Sequence, residues 1–235
     1  MLNQLKYLAK QLRHRLYKAT NTSYTGEQAV IEKYFHKIPK KNNVCVDIAA
    51  SDGMSQSNTL FLYEKGWTGL AVECQSDNFA ILSSHYRRFP GVNLYRGKVF
   101  PHNVVSLLQA CQLPKNFSFL NLDIDSYDYF VLDQILESYR PQLICAEINE
   151  NVPPPIRFSV KYAIDQAWAG DHFFGQSLSQ LELLCKKYKY SIVELCYNNA
   201  FLVPSESPGF AYMTSEEAYQ KGYANKQDRK KKFPW

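Results

Sequence analysis

Val46-Asp47-Ile48-Ala49-Ala50-Ser51-Asp52-Gly53, followed at once by Ser55-Gln56-Ser57-Asn58-Thr59, decides how the rest of the chain is read. An apolar run meets an acid, then a turn of small residues, then a polar helix start. A doubly wound α/β domain opens its ligand crevice in this way, beyond the carboxyl end of its first strand.

Working outward, apolar runs alternate with helix-length segments. Strands are expected over Val44–Ile48, Thr68–Glu73, Val92–Tyr95, Phe117–Asp123 and Gln142–Glu147. Helices are expected from near Ser55 to a stop at Gly66, from near Ser76 to before Pro90, from near Pro101, and over Tyr127–Glu137. Such alternation implies βαβ units and a parallel sheet. The unbroken apolar runs Leu70-Ala71-Val72 and Leu143-Ile144-Cys145-Ala146 suit strands covered on both faces. Pro153-Pro154-Pro155 then ends regular structure, and a long loop runs to about Gln176. A helix over Ser177–Tyr188 and strands over Ser191–Leu195 and Ala200–Val203 close the core. Thr25-Gly26-Glu27-Gln28 has the form of a capping box before another helix. Leu2, Leu5, Leu8, Leu12 and Leu16 recur at helical spacing. The expected organisation is an N-terminal helical appendage over 1–40, one domain over 41–204, and a C-terminal helix with a basic, disordered tail over 205–235.

A chain of 235 residues that is 46% hydrophobic and 21% charged is long enough for one sizeable core. Its net charge of +5 is concentrated at the ends, with Lys6, Lys10, Arg13, Arg15 and Lys18 at one and Arg229, Lys230, Lys231 and Lys232 at the other. These ends read as solvated tails, or as a docking face for an anionic partner such as a membrane surface. None of the six cysteines forms a C-x-x-C pair, which argues against zinc. Their setting in apolar runs suggests a reducing, cytoplasmic compartment. Neither a signal peptide nor a bilayer-spanning run is expected.

Ligand chemistry is expected at the strand ends, and each end is acidic: Asp47, Glu73, Asp123-Ile124-Asp125, and Glu147-Ile148-Asn149. A carboxylate at the end of the second strand suits the two hydroxyls of a ribose, or else caps the next helix. The first turn has Ala49 and Ala50 where a dinucleotide fold needs glycines, and Asp52 would repel a phosphate. An acid-rich turn suits the cationic, phosphate-free S-adenosylmethionine instead.

At this point the chain resembles a known family. The opening motif, with Ser57-Asn58-Thr59, Gly66-Trp67-Thr68-Gly69 and Val72-Glu73, is similar to the start of FkbM-type class I S-adenosylmethionine-dependent methyltransferases. Leu122-Asp123-Ile124-Asp125-Ser126-Tyr127-Asp128-Tyr129, Glu147-Ile148-Asn149, Phe174-Gly175-Gln176-Ser177-Leu178 and Asn199-Ala200-Phe201 extend the likeness over about Val44 to Pro204. The resemblance implies a Rossmann-like seven-stranded, mostly parallel sheet in the order 3-2-1-4-5-7-6 with strand 7 antiparallel. It implies O-methyl transfer to a small molecule, sugar or glycoconjugate. It also implies a cofactor site of Asp47, Ala49, Ser51, Asp52 and Gly53, with Ser57, Asn58 and Thr59 nearby. Glu73 would hold the ribose, Gln75 would lie near the adenosine and Asp123 near the methionine end. Ala49 departs from the glycine common at its position, and Ser126-Tyr127 departs from a glycine-containing sequence.

Two features can activate a hydroxyl for methylation. Asp123, Asp125, Glu147 and Asn149 offer hard oxygen ligands for Mg²⁺ or another divalent metal. Alternatively, Asp123 contacts the cofactor, Asp125 caps the next helix and Glu147 bonds backbone. His172, beside Asp171, is a candidate general base or an ordinary loop residue. Tyr127, Tyr129, Phe173, Phe174 and Arg157 are candidates for shaping the acceptor pocket, or for packing. The competing classes are an NAD-dependent oxidoreductase, disfavoured by the missing glycine fingerprint, and a non-catalytic S-adenosylmethionine-binding or docking protein. Nucleic acid is disfavoured as a partner, since no aromatic-proline motif follows the fourth strand. The oligomeric state is left open.

Overall fold

The computed structural model describes residue 9 and residues 22–39, 41–164 and 170–233. The helix expected over the N-terminal leucines falls outside the described residues. Seven strands form one sheet: β1 (Val44–Ile48), β2 (Thr68–Glu73), β3 (Val92–Arg96), β4 (Phe119–Leu122), β5 (Leu143–Glu147), β6 (Tyr190–Cys196) and β7 (Asn199–Pro204). Their order is 3-2-1-4-5-7-6. β7 runs antiparallel to β5 and to β6, and the other pairings are parallel. The architecture is that of the Rossmann-like class I methyltransferase fold.

Helices α1 (Glu27–Lys37), α2 (Leu60–Glu64), α3 (Ser76–Tyr86), α4 (Val104–Ala110), α5 (Asp128–Ser138) and α6 (Leu178–Tyr188) connect and cover the strands. Every residue of β4 and β5 is buried. Side chains alternate across a strand, so both faces of the central sheet must be covered. Rings thicken the core beside α1, where Phe35 meets Trp67 at 4.9 Å and Phe119 at 5.8 Å between centroids.

The register of β1 and β2 depends on Gly69. A Cβ there would stand 1.9 Å from the Cys45 carbonyl oxygen, and its φ is +141°. Only glycine lets the two backbones pair this closely. Gly69→Ala is expected to lower unfolding stability by at least about 3 kcal/mol. Chemical denaturation would show this, and an unchanged midpoint would contradict it.

Three expectations are corrected. The helix expected from Ser55 begins only at Leu60, because Ser55–Thr59 are taken up by a polar turn at the cleft. Thr25 does not cap α1: Gly26 is the cap residue, and the Ser23 hydroxyl oxygen accepts the Gln28 N–H instead. The tail is not loose either. Helix α7 (Ser215–Tyr219), a π-helical turn (Gln220–Ala224) and α8 (Arg229–Lys232) fold back on the sheet, and Phe233 is buried. The Tyr197 N–H donates to Gly222 O, and the Tyr219 hydroxyl to Glu150 O. Among the described residues no helix is long and apolar enough to cross a membrane.

Candidate active site

A cleft of about 910 Å³ opens along the carboxyl ends of β1, β2, β4 and β5. Ala49 and Ser51 follow β1 with φ of +71° and +51°, so the chain turns sharply back on itself. Asp52 fastens this turn: one carboxylate oxygen accepts the N–H groups of Met54 (2.9 Å) and Ser55 (2.7 Å). Gly53 lies behind the turn, where a Cβ would stand 2.5 Å from Leu82 Cδ1.

Asp47 is held rather than free. Its carboxylate accepts the Thr59 hydroxyl at 2.5 Å and the Asn121 amide at 2.9 Å, and Asn58 in turn donates to Asn121 at 3.1 Å. Burial pushes its pKa up to about 6, the two hydrogen bonds oppose that rise, and nearby Glu73 adds to it. Glu73 lines the cleft at the end of β2, with one oxygen held by the Gln75 N–H at 2.5 Å.

On the other side of β1, Asp123, Asp125 and Glu147 each offer a carboxylate oxygen within 4.8 Å of the others. β4 ends at Leu122, and Asp125 adopts a left-handed φ of +55°. The extended geometry is lost there, yet the two aspartates still converge. Asp128, not Asp125, ties down the turn, accepting the N–H groups of Ile124 (2.8 Å) and Ser126 (3.0 Å). Glu147 accepts the Asn198 amide at 3.0 Å, while its second oxygen is buried with no hydrogen-bond partner. Burial and the neighbouring acids raise the pKa of Asp123 to about 8 and that of Glu147 well above the usual carboxylate range. Negative charge on either acid is therefore disfavoured unless a cation compensates it.

The remaining expected residues divide. Asp47, Ala49, Ser51, Asp52, Ser57, Asn58, Glu73, Gln75 and Asp123 line the cleft, whereas Gly53 and Thr59 support it from behind. Asn149 leaves the expected metal set: its amide donates to His172 O (2.8 Å) and Phe174 O (3.1 Å), so it pins the late loop. The structure does not bring His172 into the cleft; the residue is exposed and lines no part of it. Of the aromatic candidates only Tyr127 lines the cleft, and Phe173 is 66% exposed. Among the lining residues that the sequence did not single out are Asn121, Asn198, Tyr24 and Glu27. A polar Asn121 inside the otherwise apolar Phe119–Leu122 was the legible signal. Tyr24 and Glu27 carried none, because they enter from far along the chain.

These acids make stability depend on pH. Asp47 rises from 3.8 to about 6, Asp128 to about 6 and Asp123 to about 8. Between the unfolded and folded values the native state binds more protons than the unfolded one, so stability falls as pH rises from about 4 to about 8. For Asp47 alone the effect is ~3 kcal/mol. Ligand-free protein in chelator should have a lower denaturation midpoint at about pH 8 than at about pH 5, and the reverse order would contradict this assignment.

No family model matches the sequence, and no curated protein matches it. Some solved structures are similar to this chain at low identity. The N-terminal domain of EvdMO1, in the presence of SAH and D-fucose, is 11% identical over 77% of this chain and 83% of that one, with a TM-score of 0.49. An O-methyltransferase from Bacillus cereus in complex with SAH is 16% identical over 86% and 90%, with a TM-score of 0.49. DesVI of Streptomyces venezuelae is 14% identical over 83% and 98%, with a TM-score of 0.48.

Proposed function

We propose that this chain transfers a methyl group from S-adenosylmethionine to a hydroxyl of a small-molecule, sugar or glycoconjugate acceptor, assisted by a divalent cation. One observation carries the reading: among the described residues, seven carboxylates line the cleft (Glu27, Asp47, Asp52, Glu73, Asp123, Asp125 and Glu147) against one cation, Lys98. Buried carboxylates need compensating positive charge or protons. A diphosphate would add negative charge to this lining, so a dinucleotide fits poorly. A sulfonium and an ammonium group supply the missing sign. The motif resemblance to FkbM-type methyltransferases points the same way.

Bound S-adenosylmethionine would supply an electrophilic methyl group on a positively charged sulfur. Glu73 stands where it can accept the ribose hydroxyls, with its side chain fixed by the Gln75 N–H. Asp47 and the turn from Ala49 to Asp52 face the cationic methionine portion. The rigid turn and the Asn58–Asn121–Asp47 chain hold these acceptors in place before the ligand arrives, which favours orientation over reorganisation. Cys74, Gln75 and the Gly97–Val99 stretch line the end where the base would lie.

Asp123, Asp125 and Glu147 fit a hard cation. Their oxygens are close together, and the partnerless Glu147 oxygen is a ligand atom without another role. There a cation would lower the pKa of an acceptor hydroxyl and orient it. The three side chains would present that hydroxyl beside the donor, since they line the same cleft as Asp47 and Glu73.

The test is conversion of S-adenosylmethionine to S-adenosylhomocysteine across a broad acceptor library. Turnover is expected with some hydroxylated acceptors, to fall in chelator and to return with Mg²⁺. Turnover undiminished in chelator would remove the cation from the mechanism. Binding of the donor without turnover on any acceptor would favour a non-catalytic binding protein.

A further inference from the structure

The cleft has a wall that the donor would not use. Beyond β5 it is formed by Tyr24, Glu27, Asn198 and Asn199. Glu27 is buried there and accepts the Asn199 amide at 3.0 Å, which ties the start of α1 to the start of β7. Tyr24 stands at this wall with half of its surface exposed. Its position is fixed at two points. Its hydroxyl donates to Lys232 O at 3.3 Å, and its ring meets that of Phe233 edge-on at 6.2 Å.

Phe233 is the anchor of the tail. It is buried between Tyr24, Tyr197 (5.6 Å, stacked) and Tyr223 (5.8 Å, edge-on). The Tyr197 hydroxyl also donates to the Asp228 carboxylate. Since Tyr24 lines the cleft and its hydroxyl bonds Lys232 O, the aromatic seat holds the basic turn Arg229–Lys232 next to the Tyr24 wall. From Lys226 to Lys232 there are five cations and one carboxylate, Asp228. Lys226 and Lys232 lie over the Tyr197 ring, Arg229 lies over Tyr223, and Lys232 pairs with Asp228 at 3.5 Å. Lys230 and Lys231 are exposed, and among the described residues neither forms an ion pair.

The site is thus an acidic pit with a basic turn next to its Tyr24 wall. An acceptor's anionic group cannot descend among the carboxylates, but the basic turn receives it. We infer that the acceptor carries an anionic group, phosphate or carboxylate, seated on Lys230 and Lys231, with its body over Tyr24 and its hydroxyl toward Asp123 and Glu147. The inference rests on the methyl-transfer reading and adds the charge of the substrate and the part of the chain that selects it.

Backbone amide NMR of the full chain with S-adenosylhomocysteine and Mg²⁺ tests it. The probes are inorganic phosphate, glucose 6-phosphate, glucuronate and neutral glucose, with phosphatidylserine vesicles as a separate arm. The anions are expected to shift the signals of Tyr24, Asn198 and residues 229–232, and glucose at the same concentration to leave them in place. Whether phosphate or glucuronate binds more tightly identifies the anionic group. Lys230→Glu with Lys231→Glu should weaken anion binding about tenfold, a plausible sum for two exposed charge contacts. Phe233→Ala should weaken it too, by releasing the turn from its seat. S-adenosylhomocysteine affinity should stay the same in both variants. Equal shifts from glucose, anion binding unchanged by the lysine replacements, no response to any anion, or a response to vesicles alone would each overturn the inference. Failure of S-adenosylhomocysteine to bind the unaltered chain would instead overturn the underlying reading.

Discussion

Replacing Glu73 by glutamine should weaken S-adenosylhomocysteine binding by roughly a hundredfold or more, because hydrogen bonds to a charged group are worth ~1.5–3 kcal/mol each and a ribose offers two hydroxyls. The charge is what matters: an amide keeps the shape and the acceptor for the Gln75 N–H, but it cannot accept both hydroxyls as a carboxylate does. The same substitution takes a negative charge away from Asp47, whose pKa Glu73 helps to raise. The melting temperature of the ligand-free protein should therefore hold or rise. Lost affinity with retained stability separates a ligand contact from a folding defect. Unchanged affinity by calorimetry would remove Glu73 from the donor site.

The second large effect falls on Asp123. Asp123→Asn removes one of three carboxylates whose oxygens lie within 4.8 Å of one another and leaves Glu147 without its acidic neighbour on β4's end. Turnover should drop by about a thousandfold, ~4 kcal/mol of transition-state stabilisation. Donor affinity should fall much less, since Glu73 and the Asp47 turn remain. A like charge is also removed from a cluster of acids, so the loss of stability toward about pH 8 should shrink in this variant. Steady-state kinetics beside denaturation at two pH values measures both effects. Near-normal turnover would mean that the cluster is not where the chemistry occurs.

The sheet was readable because its central strands are buried on both faces. Val44–Ile48, Thr68–Glu73 and Leu143–Glu147 are mainly apolar runs with an acid at the last or next-to-last position, and each is a strand with that acid at the cleft. Burial supplies the apolar run, and the crevice beyond the strand end explains the acid. The carboxylates at the strand ends were legible for the same reason. Side-chain direction past a strand end was not. Alternation predicts that Asn149 follows Glu147 into the site, but the backbone turns after β5 and the amide is used by the late loop. Alternation also predicts that Asp125 follows Asp123; it does, though through a left-handed residue that no period describes.

His172 illustrates a second limit. An acid beside it suggests a base held in place, yet Asp171 accepts the Phe173 N–H at 2.9 Å and the histidine stays exposed. The tail shows a third. Lys230-Lys231-Lys232 reads as a solvated run, and nothing local says that the following Phe233 finds three tyrosines from distant parts of the chain. Contacts of that separation come from topology, not from local pattern.

An acid-lined crevice selects its ligand by charge, and calorimetry with S-adenosylhomocysteine and NADH side by side reads that selection directly. S-adenosylhomocysteine should give a saturable one-to-one heat that is lost in Glu73→Gln, and NADH should give none. Tight NADH binding with no heat from S-adenosylhomocysteine would contradict it.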